Sequence, residues 1–276
     1  MAVFRANVRQ PMEGSMDTAF GDVLKEWRGA RRMSQLDLGL AANVSARHIS
    51  FLETGRSRPS RGMVLQLAET LDIPRAARNQ LLNAAGFSAA YASGSMQDRE
   101  MAPVTAAIER IVSRHDPYPA FLLDRHWRLA GANQSGALVT GGLGIGPDES
   151  LLDAMTEPGR GAAMIENWGE VALHMLARLR TESAHLGGDA ILDAAIAILA
   201  GDPEIADRKD HAPLPAVLPA RYIIGGQRYS VFSVFAQFGS AEDIALADLR
   251  IEMLFPADEA TRALFEAGAG TSPSAH

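Results

Sequence analysis

Residues Met33–Pro59 have the sequence MSQLDLGLAANVSARHISFLETGRSRP, and this stretch decides the fold of the first part of the chain. Ser34 begins a short helical pattern, which is interrupted at Asn43–Val44. Ser45 begins a second one, which Gly55 ends. Leu36, Leu38 and Ala41 give the first segment an apolar pattern, and Ile49 and Leu52 fall on one side of the second. Two helices this short, joined by so tight a turn, predict a helix-turn-helix, whose second helix can lie in the major groove of DNA.

Amphipathic helices are predicted on both sides of this motif. An apolar stripe over Phe20–Trp27 precedes it, and similar stripes with a spacing of three or four residues follow Ser60 and Pro74. We therefore predict an all-α domain of five helices over residues 17–88, with a disordered lead-in at residues 1–16.

The charge of the chain is distributed unevenly. The 276 residues carry a formal net charge of −7, which is unfavourable for contact with phosphates. Residues 28–61, however, contain seven arginines against two carboxylates, and residues 1–100 carry a net +3, so the other 176 residues carry a net −10. A basic first domain and an acidic second part fit one DNA-binding face and a part that is kept off the DNA.

Composition excludes several kinds of protein. The chain has no cysteine, which excludes disulfides and thiolate zinc sites and fits a reducing cytoplasm, where we expect the protein to act. No apolar run approaches the roughly 18 residues of a membrane span. The N-terminal residues lack the apolar segment of a signal peptide.

The motif residues resemble the xenobiotic-response-element family of helix-turn-helix regulators over about residues 20–72. The matching residues fix both spacing and residue type: Arg28, Ser34, Gln35, Leu38, Ala41, Ser45, Ile49, Ser50, Leu52, Glu53, Gly55, Arg58, Pro59, Leu67, Ala68 and Leu71. The resemblance implies a DNA-binding transcription regulator in which Arg28 and Glu53 pair inside the domain.

The same resemblance implies which residues contact double-stranded DNA. Gln35 would hydrogen-bond a phosphate at a helix N-terminus, and Arg47 would bind a guanine through two parallel hydrogen bonds. The predicted DNA-binding residues are Gln35, Ser45, Ala46, Arg47, Ser50, Arg56, Arg58 and Arg61. The alternative for the arginines is an ordinary solvated surface.

A second domain follows a linker at residues 89–102. Two short strands, Ala120–Asp124 and Trp127–Ala132, flank Arg125–His126, which has the length of a two-residue hairpin turn. Helices are predicted next, and the broad apolar stripe from Trp168 to Leu179 is the strongest indication of them.

The last part of the chain is predicted to be β. Gly225-Gly226 would be the turn of a hairpin. Ala245–Phe255 alternates, so that one face of its strand should be buried and the other, which carries Asp248, Arg250 and Glu252, should be wet. These elements predict an α+β domain over residues 103–268. Its antiparallel sheet has about five strands, and helices inserted between the second and third strands enclose an apolar cavity. Residues 269–276 are predicted to be a disordered tail.

This order of elements resembles the ligand-binding domain of MmyB-like transcription regulators, which has a PAS-like fold. The resemblance is carried by Tyr118, Pro119, Ala120, Leu123, Asp124, Arg125, Trp127, Asn133, Asn167, Trp168 and the late strands. It implies that the domain binds a small apolar effector, of which a fatty acid is an example.

Aromatic and methionine side chains are the candidates for lining a pocket, because methionine adapts to apolar ligands of variable shape. The candidates are Phe121, Met155, Met164, Trp168, Met175, Phe232 and Phe235. The alternative is that each of them fills an ordinary core.

No catalytic or metal-binding pattern is evident. The histidines lack metal-binding spacing, no nucleophile elbow is present, and the glycines of Gly141–Gly146 do not follow an apolar strand as in a dinucleotide fingerprint. We therefore expect no enzyme, no metal and no cofactor besides the apolar effector.

The two-part pattern indicates a one-component regulator. Its first domain would bind operator DNA as part of a homodimer, since paired motifs occupy half-sites about 34–36 Å apart. Its second domain would bind the effector. The alternative is an antitoxin-like repressor whose second domain binds a protein partner.

Overall fold

The computed structural model of the chain describes residues 20–91, 101–146, 149–206, 217–237 and 243–269. The predicted lead-in, residues 92–100 of the predicted linker and residues 270–276 of the predicted tail lie outside these ranges.

The first described range contains the five predicted helices. They are α1 (Phe20–Ala30), α2 (Gln35–Ala41), α3 (Ala46–Glu53), α4 (Arg61–Thr70) and α5 (Arg75–Ala84). The hydroxyls of Ser34, Ser45 and Ser60 cap α2, α3 and α4, each accepting the backbone N–H three residues further on. Apolar side chains from all five helices meet in one core, which includes Leu24, Leu38, Ile49, Leu67 and Leu81. The predicted all-α domain is confirmed.

The turn between α2 and α3 depends on a close backbone approach. The Val44 N–H donates to the carbonyl oxygen of Gly39 at 2.7 Å. A Cβ atom at Gly39 would lie only 2.6 Å from the carbonyl oxygen of Val44, so this position requires glycine. Asn43 has φ of 52°, in the left-handed region that asparagine tolerates better than most residues.

The second domain is built around a five-stranded antiparallel sheet in the order β2-β1-β5-β4-β3. Its elements are α6 (Ala102–Arg114), β1 (Ala120–Leu123), β2 (Leu129–Ala132), α7 (Gln134–Gly142), α8 (Leu151–Thr156), α9 (Arg160–Met164), α10 (Trp168–Leu186), α11 (Ala190–Ala200), α12 (Pro203–Ala206), β3 (Ala220–Ile224), β4 (Gln227–Gln237), α13 (Ile244–Ala247), β5 (Arg250–Pro256) and α14 (Glu259–Ala269). The predicted sheet and the helices between its second and third strands are confirmed.

The first hairpin has a longer turn than predicted. Trp127 lies in the turn with φ of 61°, not in a strand. The carboxylate of Asp124 accepts the backbone N–H groups of His126 and Arg128, which closes the wider turn. This turn directs the Trp127 side chain into the core, where it is 5% exposed.

The last strand is shorter than predicted, and neither of its faces is open. The segment before it forms the short helix α13, and β5 begins at Arg250. Ile251 and Met253 pack with α6 on one face of the sheet. Leu254 packs with α7–α11 on the other face, and Arg250, on that face as well, is only 4% exposed. The expected wet face is therefore covered, because helices lie on both sides of the sheet.

Candidate DNA-binding surface and ligand cavity

Helix α3 presents a polar side and buries an apolar one. Ile49 and Leu52 are buried in the domain core, whereas Arg47 is exposed and Ser50 is half-buried. The Arg47 guanidinium lies 5.2 Å from the centre of the Phe51 ring, one helical turn along. Phe51 was not singled out from the sequence, although its i, i+4 spacing from Arg47 was a usable signal. The ring and the guanidinium thus lie together on the outer surface of α3.

A buried carboxylate holds α1, α2 and α3 together. Glu53 accepts hydrogen bonds from Nε and Nη2 of Arg28, at 2.6 and 3.0 Å, and from Nε2 of Gln35 at 2.8 Å. Burial opposes the charge on Glu53, but the bonds from Arg28 and Gln35 hold its pKa below the usual value. The expected Arg28–Glu53 pair is present. Gln35 lies at the N-terminus of α2, and its amide also fixes Glu53.

The other predicted DNA contacts lie around α3. Ser45 is the N-cap of α3 and Ala46 is its first residue, so both stand at its N-terminal end. Arg56 and Arg58 are exposed in the segment that follows α3. Arg61 is half-buried, and its guanidinium donates to the carbonyl oxygen of Ser88 at 2.7 Å, which ties it to the end of the domain.

A cavity of about 40 Å³ lies between the sheet of the second domain and the helices α7–α9. Of the predicted pocket residues, Phe121, Met155 and Met164 line it. The helical wall and its connecting loops also contribute Val139, Thr140, Leu143, Ile145 and Leu151. The sheet side contributes Tyr222, Glu252 and Leu254, and Trp127 enters from the first turn.

Four predicted pocket residues do not line this cavity. Trp168 and Met175 are buried in the same core, but behind its wall. Phe232 stacks on Phe255 on the opposite face of the sheet, at a ring distance of 5.6 Å. Phe235 is 37% exposed and packs against the Arg178 guanidinium at 3.7 Å. The spacing of residues along β4 did not reveal where the helices cover the strand.

The cavity wall is apolar except for a few groups. The hydroxyl of Thr140 bonds to carbonyl oxygens of its own helix. The Tyr222 phenol adds a hydroxyl to this wall, and burial raises its pKa. The Glu252 carboxylate accepts the Ser233 hydroxyl at 2.7 Å. These groups can orient a ligand within an otherwise apolar space.

A group of charged side chains lies beside the cavity and was not predicted from the sequence. Glu182 of α10 accepts from Nη1 of Arg250 at 2.8 Å, from Nε of Arg178 at 2.7 Å and from the indole of Trp127 at 3.3 Å. Burial opposes the ionisation of Glu182, but the two arginines hold its pKa below the usual value. Burial also disfavours the charged form of Arg250 and lowers its pKa, and the attraction of Glu182 offsets this only in part.

The two domains touch through α1 and the end of α10. The Arg31 guanidinium donates to the carbonyl oxygens of Ala184 and His185, at 2.9 and 3.1 Å. It also donates to those of Leu71 and Asp72 at the end of α4, both at 2.9 Å. A cation at these two helix C-termini is favoured by the helix dipole.

The described residues show neither a helix long and apolar enough to cross a membrane nor a group of three or more metal-binding side chains.

Two family models match the chain. Residues 19–81 match a helix-turn-helix domain, and residues 104–267 match the MmyB-like transcription regulator ligand binding domain. No curated protein gives a match. The second model covers more than half of the 276 residues, and its bounds enclose the cavity and the sheet. The chain therefore belongs to the MmyB-like transcription regulators, with a helix-turn-helix DNA-binding domain ahead of the ligand-binding domain.

Proposed function

We propose that this transcription regulator is a one-component sensor in which a small apolar molecule, such as a fatty acid, occupies the cavity and changes the affinity for operator DNA. The observation that carries the proposal is the mainly apolar cavity between the sheet and the helices, on the same chain as the helix-turn-helix. Apolar walls with a few polar groups are typical of small-molecule sites.

The cavity is small, so a ligand must enlarge it by displacing side chains of the wall. A volume of about 40 Å³ is well below the roughly 300–1,000 Å³ of ligand pockets in general. Met155 and Met164 stand in the wall, and their unbranched side chains change rotamer at low cost. Ligand entry would therefore displace these side chains and the short helices α8 and α9 that carry them.

Helix α9 is in turn packed against α10. A Cβ atom at Gly161 of α9 would lie 2.5 Å from the ring of Trp168, the first residue of α10. The 19 residues of α10 extend over about 28 Å and end at the carbonyl groups that Arg31 binds. A displacement of α9 would thus reach the DNA-binding domain through one continuous helix. This coupling requires that the ligand bind two states of the protein with different affinity.

We further propose that the protein acts as a homodimer. One α3 contacts a single half-site, and two motifs related by a two-fold axis would read both halves of an operator.

The test combines ligand binding with DNA binding by the full-length protein. Native mass spectrometry of freshly purified protein should detect a co-purified apolar molecule. After its removal, decanol or decanoate should raise the melting temperature. A duplex selected from a random-sequence library provides the operator, and each compound should change its dissociation constant by about fivefold or more, which is the usual range of allosteric coupling.

Two valine-to-phenylalanine substitutions, one in the cavity and one outside it, serve as test and control. Val139→Phe fills the cavity and should abolish the effect of both compounds. Val234→Phe adds the same ring at a position on β4 that is 41% exposed, and should leave the effect intact. If neither compound stabilises the wild-type protein or changes its DNA affinity, the sensor proposal is wrong.

A further inference from the structure

Arg250 is a buried cation, and two of its three guanidinium nitrogens have no hydrogen-bond partner in the described part of the chain. Its side chain is 4% exposed, and Nη1 donates to Glu182. Its Nε and Nη2 atoms are buried, and neither has a hydrogen-bond partner in the described part of the chain. Buried polar groups are almost always hydrogen-bonded, and an unpaired charged donor is especially costly. The two open donors therefore call for an acceptor.

The two open donors are adjacent on the guanidinium. Nε–H and one N–H of Nη2 point the same way along one edge of the planar group, and this edge matches the two oxygens of a carboxylate. Nη1, on the opposite side, already holds Glu182. The geometry of the open edge thus favours a planar, two-oxygen anion over a single oxygen acceptor.

The neighbouring carboxylates are already engaged elsewhere. Glu182 is shared with the Nε of Arg178 and the Trp127 indole. Glu252 attracts Arg250 at longer range, but its carboxylate takes the hydroxyl of Ser233. Neither carboxylate therefore supplies an acceptor for the open edge.

Trp127 connects this edge with the apolar cavity. Its ring lines the cavity, and the Arg250 guanidinium lies 4.9 Å from the ring centre. Glu252, in the cavity wall, would repel a carboxylate that stayed among the apolar side chains. A ligand with an apolar chain and an acid group would thus place its chain in the cavity and its acid group past Trp127, at Arg250.

We infer that Arg250 is the anchor for a carboxylate, bound through Nε and Nη2. If the carboxylate is the acid group of an apolar effector, the inference rests on the sensor function proposed above. The same edge would accept a short, free carboxylate, and the experiment separates these two sources.

The first comparison is between decanoate and decanol, which share an alkyl chain and differ in the acid group. By titration calorimetry on the full-length protein, below micelle-forming concentrations, decanoate should bind roughly tenfold to hundredfold more tightly. Arg250→Lys keeps a positive charge beside Glu182 but removes the two-donor edge, so the ratio should fall toward one.

Arg180→Lys is the matched control. Arg180 also lies on α10, but its side chain is exposed and outside the group formed by Arg250, Glu182 and Trp127. The preference for decanoate should therefore persist in this variant. The comparison of the two ligands on the wild-type protein does not depend on the folding of any variant.

The outcomes separate this inference from the sensor function. Equal affinity of the wild-type protein for decanoate and decanol overturns the carboxylate site and leaves the apolar sensor standing. If neither compound binds, the sensor function fails. The effect of propionate on protein stability then tests the carboxylate site by itself. Stabilisation by propionate that Arg250→Lys removes supports a site for a free carboxylate, and the absence of such stabilisation overturns it.

Discussion

Arg47 is the side chain of α3 on which base recognition should depend most. It is exposed on the outer side of the helix, and its guanidinium lies 5.2 Å from the centre of the Phe51 ring. If Arg47 binds a guanine through two hydrogen bonds, Arg47→Ala should cost about 1–3 kcal/mol on the selected duplex and relax the preference at one base pair. Competition fluorescence anisotropy with single-base variants of the duplex measures both effects.

Arg180→Ala serves as the control, because it removes the same charge from an exposed position on α10 in the second domain. It should leave affinity and base preference unchanged. An Arg47→Ala protein that retains both properties would mean that α3 does not lie in the major groove as proposed.

The surroundings of a single residue could be predicted from the sequence only where its partners belong to the same local motif. Arg28 and Glu53 were paired correctly because a motif with fixed spacing carries both residues. Arg250 was assigned to a wet face because alternation along one strand shows that the two faces differ. It does not show what covers each face, since that depends on α10, more than 60 residues earlier in the chain.

At the scale of elements, the turn of the helix-turn-helix gives a sharp prediction. Gly39→Ala places a Cβ atom 2.6 Å from a backbone oxygen of Val44, so α2 and α3 must move apart. We expect a loss of about 1–3 kcal/mol in the free energy of unfolding, together with weaker binding to every DNA sequence. Urea denaturation and anisotropy measure the two effects.

Gly62→Ala, in α4, is the matched control. Its Cβ atom would meet nothing closer than the Ser60 hydroxyl at 4.0 Å. Because alanine favours helix over glycine, this substitution should raise stability by up to about 1 kcal/mol. Similar losses in both variants would contradict the proposed role of the close approach at Gly39.

Elements with strong local signals were predicted correctly, whereas those fixed by distant contacts were not. The serine caps of α2, α3 and α4 and the Gly225-Gly226 turn, with φ of 56° and 78°, follow from neighbouring residues. The wider turn around Trp127 follows from two hydrogen bonds to Asp124 and from the burial of the ring. Neither feature appears in the apolar pattern of the two strands. The same reason explains why Phe235 was placed in the pocket, since its partner Arg178 lies on α10.

At the scale of the whole molecule, α10 is the element that connects every proposed site. Its first residue, Trp168, packs on α9 beside the cavity, and Glu182 binds Arg250. Its last turn binds Arg31 of the DNA-binding domain. A ligand that moves α9, or a carboxylate that changes the charge balance at Glu182, would therefore act on the same helix.

The contact between the domains can be tested from the side opposite Arg31. A Cβ atom at Gly187, after the end of α10, would lie 2.4 Å from the Trp27 ring of α1, so Gly187→Ala should separate the two surfaces. Gly188→Ala is a close control, because both glycines have positive φ, 79° and 104°, but its Cβ would come no closer than 3.9 Å to another atom. Both variants bear the same kind of backbone strain in the second domain.

Hydrogen exchange of the amides near Trp27, in the first domain, should accelerate only in Gly187→Ala, because only there is the packing against α1 lost. Equal exchange near Trp27 in the two variants would show that the end of α10 does not support the DNA-binding domain.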